Sequence, residues 1–155
     1  MSIEGRLAEL GIELPEPPKP LASYVPVTVA GGLAFVAGQV ATRGGEPIHP
    51  GHVGAEVSMD QAQEAARQCA LQALSALRAE LGGLERVRRI AHVSVFVASA
   101  PGFTDQPKVA NAASDLLLAA FGEAGRHARV AIGVAELPLG GPVEVAVVAE
   151  VEPAP

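Results

Sequence analysis

The chain has 155 residues, 49% of them hydrophobic and 18% charged, with 11 basic and 17 acidic side chains and a formal net charge of −6. That length suits one domain, large enough to bury a core without staples, and the acidic balance argues against the basic footprint that nucleic-acid binding requires. A single cysteine, Cys69, excludes an internal disulfide framework and any multi-cysteine metal site, so a reducing, cytoplasmic setting is expected.

Residues 1–6 carry neither an apolar core nor a basic lead, so no secretory signal is read there. Residues 2–10 predict a short helix capped by Ser2 and stopped at Gly11. Four prolines between Pro15 and Pro20 then predict an extended linker, so that residues 1–20 precede a single domain over 21–155. Segments 24–30 and 33–40 read as strands joined at Gly31-Gly32. The glycine- and proline-rich stretch from Ala41 to Val57 is expected to be irregular.

Ser58 caps a helix predicted to run to about Leu81, with Ala62, Ala66, Cys69, Ala73 and Leu77 on one buried stripe. A β-branched strand follows at 90–98, then a helix from about Asp105 to Phe121 with Pro107 in its first turn. Its run Leu116–Phe121 is the longest uninterrupted apolar stretch, far below the roughly 18 residues of a membrane span. Strands at 128–136 and 142–151 close the order β-β-α-β-α-β-β. Two helices against one sheet predict a two-layer α+β sandwich with both helices on one face.

The last strand shows what that leaves uncovered. Val143, Val145, Val147, Ala149 and Val151 share one face, while Glu144, Ala146, Val148 and Glu150 share the other. A half-apolar face without helices is an association surface, so an oligomer is expected.

Few constellations suggest chemistry. There is no phosphate-binding glycine loop, zinc spacing or nucleophile elbow, so no metal and no cofactor are expected. His49 and His52 read as a solvated loop pair that no carboxylate cluster joins, and His92 as a half-buried strand histidine. Cys69 reads as a small core residue, and Arg86, Arg88 and Arg89 as a solvated turn. In 127–138 (His-Ala-Arg-Val-Ala-Ile-Gly-Val-Ala-Glu-Leu-Pro), strand parity puts Arg129 with Ala131, Gly133 and Ala135, and Ala128 with Val130, Ile132 and Val134. An arginine among such small residues points to an open space, where its planar fork suits a carboxylate. An ion pair with Glu144 or Glu150 across the sheet is an equal alternative at this point.

Ala128-Arg129, then Val134, Leu137-Pro138 and the acidic Glu144 in the next strand, resemble the signature of the Rid family, the YjgF-type reactive intermediate deaminases. Tyr24-Val25, Gly38-Gln39 at a strand end and Asn111 in the second helix fit the same pattern, and the likeness runs from about Leu21 to Val151. The resemblance implies a chorismate-mutase-like (bacillus-type) fold and a homotrimeric barrel with sites between subunits. It implies hydrolysis of enamines and imines such as 2-aminoacrylate to keto acids and ammonia, without cofactor or metal. Arg129 would clamp the substrate carboxylate and Glu144 would position or activate water. Tyr24, Gly38, Asn111 and Ala131 would line or bind the cleft. Many members have cysteine where this chain has Ala131, so a thiol role is absent. Residues 1–20 mark a divergent branch. Two other readings stay open: a non-catalytic trimer that binds a small acid, and an endoribonuclease, a label often attached to this family and opposed by the charge of −6.

Overall fold

In the computed structural model, which describes residues 1–19 and 23–155, the chain runs α1 (Ile3–Glu9), β1 (Val27–Ala30), β2 (Leu33–Val40), β3 (Thr42–Arg43), β4 (Glu46–Pro47), α2 (Met59–Leu81), β5 (Val87–Ala98), α3 (Gln106–Phe121), β6 (Ala128–Val134) and β7 (Val143–Val151). Five strands form one sheet in the order β1-β2-β7-β5-β6, and β3 with β4 makes a small clip inside the stretch expected to be irregular. β5 and β6 are parallel and the other neighbours antiparallel, with α3 as the crossover that a parallel pair requires. This is the expected α+β sandwich, with the expected order once α1 and the clip are set aside. No helix is long and apolar enough to cross a membrane.

Local sequence sets the helix limits. The Ser58 side chain accepts from the Gln61 amide while the Gln61 side chain accepts from the Ser58 amide, a capping box that opens α2. β1 starts at Val27 rather than Tyr24, because Pro26 has no amide to give a ladder. β6 stops at Val134, where the next carbonyl, that of Ala135, turns away to accept from His52 Nε2 at 2.8 Å. The end of the linker at Pro20 and the domain start at Leu21 lie outside the described residues.

β7 sits centrally, and its alternation is as expected. Val143, Val145, Val147, Ala149 and Val151 are buried under the helices, while Glu144, Ala146, Val148 and Glu150 are half-buried on the other side. Cross-strand register extends that second face through Phe35, Val148, His92 and Ala128 in one row, and Val40, Glu144, Phe96 and Ile132 in another. Phe35, Val130 and Ile132 are exposed there.

α2 is buried on more than the one stripe read from the sequence. On its other side Gln68 Nε2 donates to Thr42 O (3.1 Å), Gln72 bonds the Thr42 amide and Val40 carbonyl (2.9 Å each), and Ser75 Oγ donates to Pro15 O. These buried polar groups pin the β2–β3 corner and the proline segment against the helix. α1 buries Leu7, and the Ile3 amide donates to Glu85 Oε1 at 2.7 Å. The N-terminal segment therefore packs on the helix layer.

Arg86, Arg88 and Arg89 do not form a solvated turn. Arg88 and Arg89 begin β5, and Arg86 Nη2 donates to Glu152 O at 2.8 Å, tying the C-terminal tail down. Cys69 is fully buried on α2, where desolvation pushes its thiol far above the ordinary range.

Candidate active site

Arg129 occupies the second position of β6, an edge strand. Register pairs it with Val93, which in turn pairs with Val147, both buried under the helices, so Arg129 lies on the helix side of the sheet. The open space inferred from strand parity is not there. A Cβ on Gly133 would meet Gln106 Nε2 at 2.9 Å and Ser99 Oγ at 3.0 Å, so glycine is required by close neighbours. Ala131 packs against the core. Arg129 instead leans along α3, where Nη1 donates to Asn111 Oδ1 (2.9 Å) and Ser114 Oγ (3.1 Å). Among the described residues, Nε and Nη2 have no protein acceptor. The guanidinium thus keeps a free edge toward a shallow hollow of about 200 Å³, lined by Ser114, Leu118, Arg126, His127 and Arg129.

His127 lies two residues before Arg129 on the same strand face. Its Nδ1 lies 2.6 Å from Gly125 O and its Nε2 lies 2.8 Å from Ser114 Oγ. A carbonyl can only accept, so Nδ1 carries the proton. Burial, with Arg129 and His92 nearby, holds the His127 pKa below the ordinary histidine value. The ring is therefore neutral at pH 7 and Nε2 accepts from the Ser114 hydroxyl. Sequence reading missed Ser114 and His127. The signal was present: Asn111 and Ser114 are three apart on a helix, and His127 and Arg129 two apart on a strand.

Glu144 is elsewhere. It pairs across the sheet with Val40 and Phe96, on the face without helices. Burial raises its carboxyl above the usual range, and it has no hydrogen-bond or ion-pair partner among the described residues. Its side chain lies over Gly38, where any Cβ would collide with Oε2. Gly38 is thus a cradle for the Glu144 carboxylate. Arg129 and Glu144 stand on opposite faces of one sheet, which overturns their alternative ion pair, and Arg129 makes no salt bridge to Glu150. Tyr24 is exposed in the segment leading into β1, at the far sheet edge from β6. One chain therefore carries two half-sites: Arg129 with Asn111, Ser114 and His127, and Glu144 with Gly38.

The loop histidines are not free of carboxylates, as the sequence suggested. His49 Nε2 meets Glu64 at 2.8 Å and His52 meets Glu136 at 3.2 Å and Glu56 at 3.5 Å. Each has its own partners, and no group of three metal-ligating side chains forms among the described residues.

Residues 4–151 match the profile of the family described as "YjgF/chorismate_mutase-like, putative endoribonuclease". Protein TCP17 of Trypanosoma cruzi is 46% identical over 144 residues, 92% of this chain and 90% of that protein. Among solved structures, Atu1372 from Agrobacterium tumefaciens, described as of unknown function, is 43% identical with a TM-score of 0.90, covering 97% of this chain and 92% of that one. A "putative endoribonuclease" from Shewanella oneidensis MR-1 is 32% identical with a TM-score of 0.92, covering 97% and 100%. With nearly the whole chain matched and the fold reproduced, N-terminal segment included, the chain belongs to the YjgF/chorismate-mutase-like family.

Proposed function

We propose that the protein hydrolyses reactive enamines or imines that bear a carboxylate, of the 2-aminoacrylate kind, to the keto acid and ammonia. The observation that carries this reading is the guanidinium of Arg129, held by one nitrogen and presenting its other donors to an open hollow. A planar fork with two free N–H donors binds a carboxylate with charge-assisted, directional bonds. Glu144, half-buried and without a protein partner, is the group to handle water. Water adds to the C=N carbon, Glu144 takes one of its protons, and the carbinolamine expels ammonia to leave the keto acid. The substrate is already electrophilic, so holding it beside an oriented water is most of the task.

Since Arg129 and Glu144 lie on opposite sheet faces, the reading needs one copy to bring Glu144 to the Arg129 of another. A homotrimer whose uncovered apolar faces meet as a barrel supplies that, with the site between subunits. Asn111 would then orient Arg129, Gly38 would seat Glu144, and Tyr24 would line the cleft. Ala131 would contribute its backbone and methyl group.

The family's description and that of the Shewanella protein speak for endoribonuclease activity as a second reading. The net charge of −6 weighs against it, because RNA binding draws on phosphate neutralisation. The test is release of keto acid and ammonia from freshly generated 2-aminoacrylate, beside RNA degradation by the same preparation. Keto-acid release above the spontaneous rate is expected. RNA cleavage without it overturns the reading in favour of the nuclease, and tight binding of a keto acid without turnover overturns it in favour of a small-acid receptor.

A further inference from the structure

We propose that His127 and Ser114 form a positioning relay that aims Arg129 at its carboxylate ligand, an inference that rests on the carboxylate-binding role assigned to Arg129 above. The relay is a directed chain of three hydrogen bonds. His127 Nδ1–H donates to Gly125 O (2.6 Å), Ser114 O–H donates to His127 Nε2 (2.8 Å), and Arg129 Nη1–H donates to Ser114 Oγ (3.1 Å). Each link fixes the next. The Gly125 carbonyl selects the tautomer with an unprotonated Nε2. That nitrogen takes the only hydroxyl proton of Ser114, so the lone pairs of Oγ turn to Arg129.

The consequence falls on the guanidinium. Asn111 Oδ1 alone, on an exposed helix side chain, would let the plane of the fork swing about one contact. A second acceptor on a nearly buried serine sets the plane, and with it the direction of Nε and Nη2. Bidentate carboxylate binding depends on that direction more than on charge. Ser114 and His127 superficially pair as nucleophile and base. Ser114 lies inside α3, however, where the neighbouring amides are used by the helix, and its oxygen is covered by the Arg129 N–H. Both residues act through Arg129.

Two measurements on the full-length protein test this. The first is the tautomer of His127 by nitrogen NMR at pH 7, assigned by its disappearance in His127→Gln. The proposal expects a neutral ring with the proton on Nδ1, opposite to the common preference of histidine for Nε2–H. A ring protonated at Nε2 overturns it. The second is calorimetric binding of pyruvate, with pyruvamide as the uncharged control. Ser114→Ala and His127→Leu should each weaken pyruvate about three- to tenfold, as expected for one hydrogen bond to a charged group. The double variant should be no weaker than either single one, because both act along one chain. His127→Gln, whose amide oxygen can still accept from Ser114, should bind within about twofold of the native protein. Additive losses, unchanged pyruvate affinity, or an equal loss of pyruvamide would each overturn the relay. A protein that shows these couplings yet hydrolyses no imine would remove the deaminase reading and leave the relay standing. A native protein that binds no pyruvate removes the relay, whatever the turnover assay reports.

Discussion

Replacing Arg129 with alanine separates a ligand-binding arginine from a structural one. The side chain makes two hydrogen bonds to protein, both from Nη1. Asn111 is exposed, so its freed oxygen is rehydrated at little cost, and Ser114 still donates to His127. The net loss of stability should be about 1 kcal/mol, equivalent to roughly 2–4 °C in melting temperature for a chain of this size. The substrate, by contrast, loses a charge-assisted bidentate contact worth roughly 1.5–3 kcal/mol, which is about 10- to 150-fold in kcat/KM. The assay is keto-acid release at several substrate levels, with melting followed on the same samples. Arg129→Lys should recover only part of the loss, because a point charge cannot reproduce the fork. A folded Arg129→Ala protein with native turnover would remove this residue from the site. Activity that falls only in step with a large drop in melting temperature would make Arg129 a structural tie.

Gly38→Ala should leave the fold nearly intact, since the added methyl meets only the end of a flexible glutamate. Turnover should nevertheless fall by about 10²-fold, the typical effect of displacing a reacting group by an ångström, and native turnover would dissociate Glu144 placement from catalysis. Glu144→Gln should lower activity while raising stability at pH 7. Its folded-state pKa is raised by burial, so its stabilising contribution is present below the ordinary pKa of 4.5 and lost as pH rises through the higher folded value. Thermal melts of native and Glu144→Gln protein should therefore diverge above that range and converge below it, and parallel curves would refute the burial argument. Native turnover should fall as pH drops through the same raised pKa, and a profile flat across it would exclude Glu144 as the group that takes the proton.

Most of the fold was readable because its determinants are local. The Ser58 capping box opens α2, and strict alternation in β7 names its buried face before any packing is known. The site was legible as types of residue more than as geometry. Parity correctly grouped Arg129 with Ala131 and Gly133, yet small residues fit either an empty space or a close neighbour. The difference was decided by Ser99 and Gln106, which the crossover helix brings in from earlier in the chain. The same limit applies to the loop histidines. Glu64 and Glu136 reach them from α2 and from the loop after β6, separations that no local pattern encodes. Whether Arg129 and Glu144 share a face depends on the sheet order β7-β5-β6, which places β5 between their strands and sets the register through it.

The central claim is that Arg129 of one copy works with Glu144 of another, and mixing two inactive variants tests it most directly. Arg129→Ala keeps Glu144 and Glu144→Gln keeps Arg129. Unfolded together in equal amounts and refolded, they should regain about a quarter of native turnover, the fraction of interfaces in a cyclic assembly that pair an intact arginine with an intact glutamate. Each variant refolded alone should stay inactive. Mixed assemblies as inactive as their parents would show that the two residues do not meet across an interface, and would contradict the account.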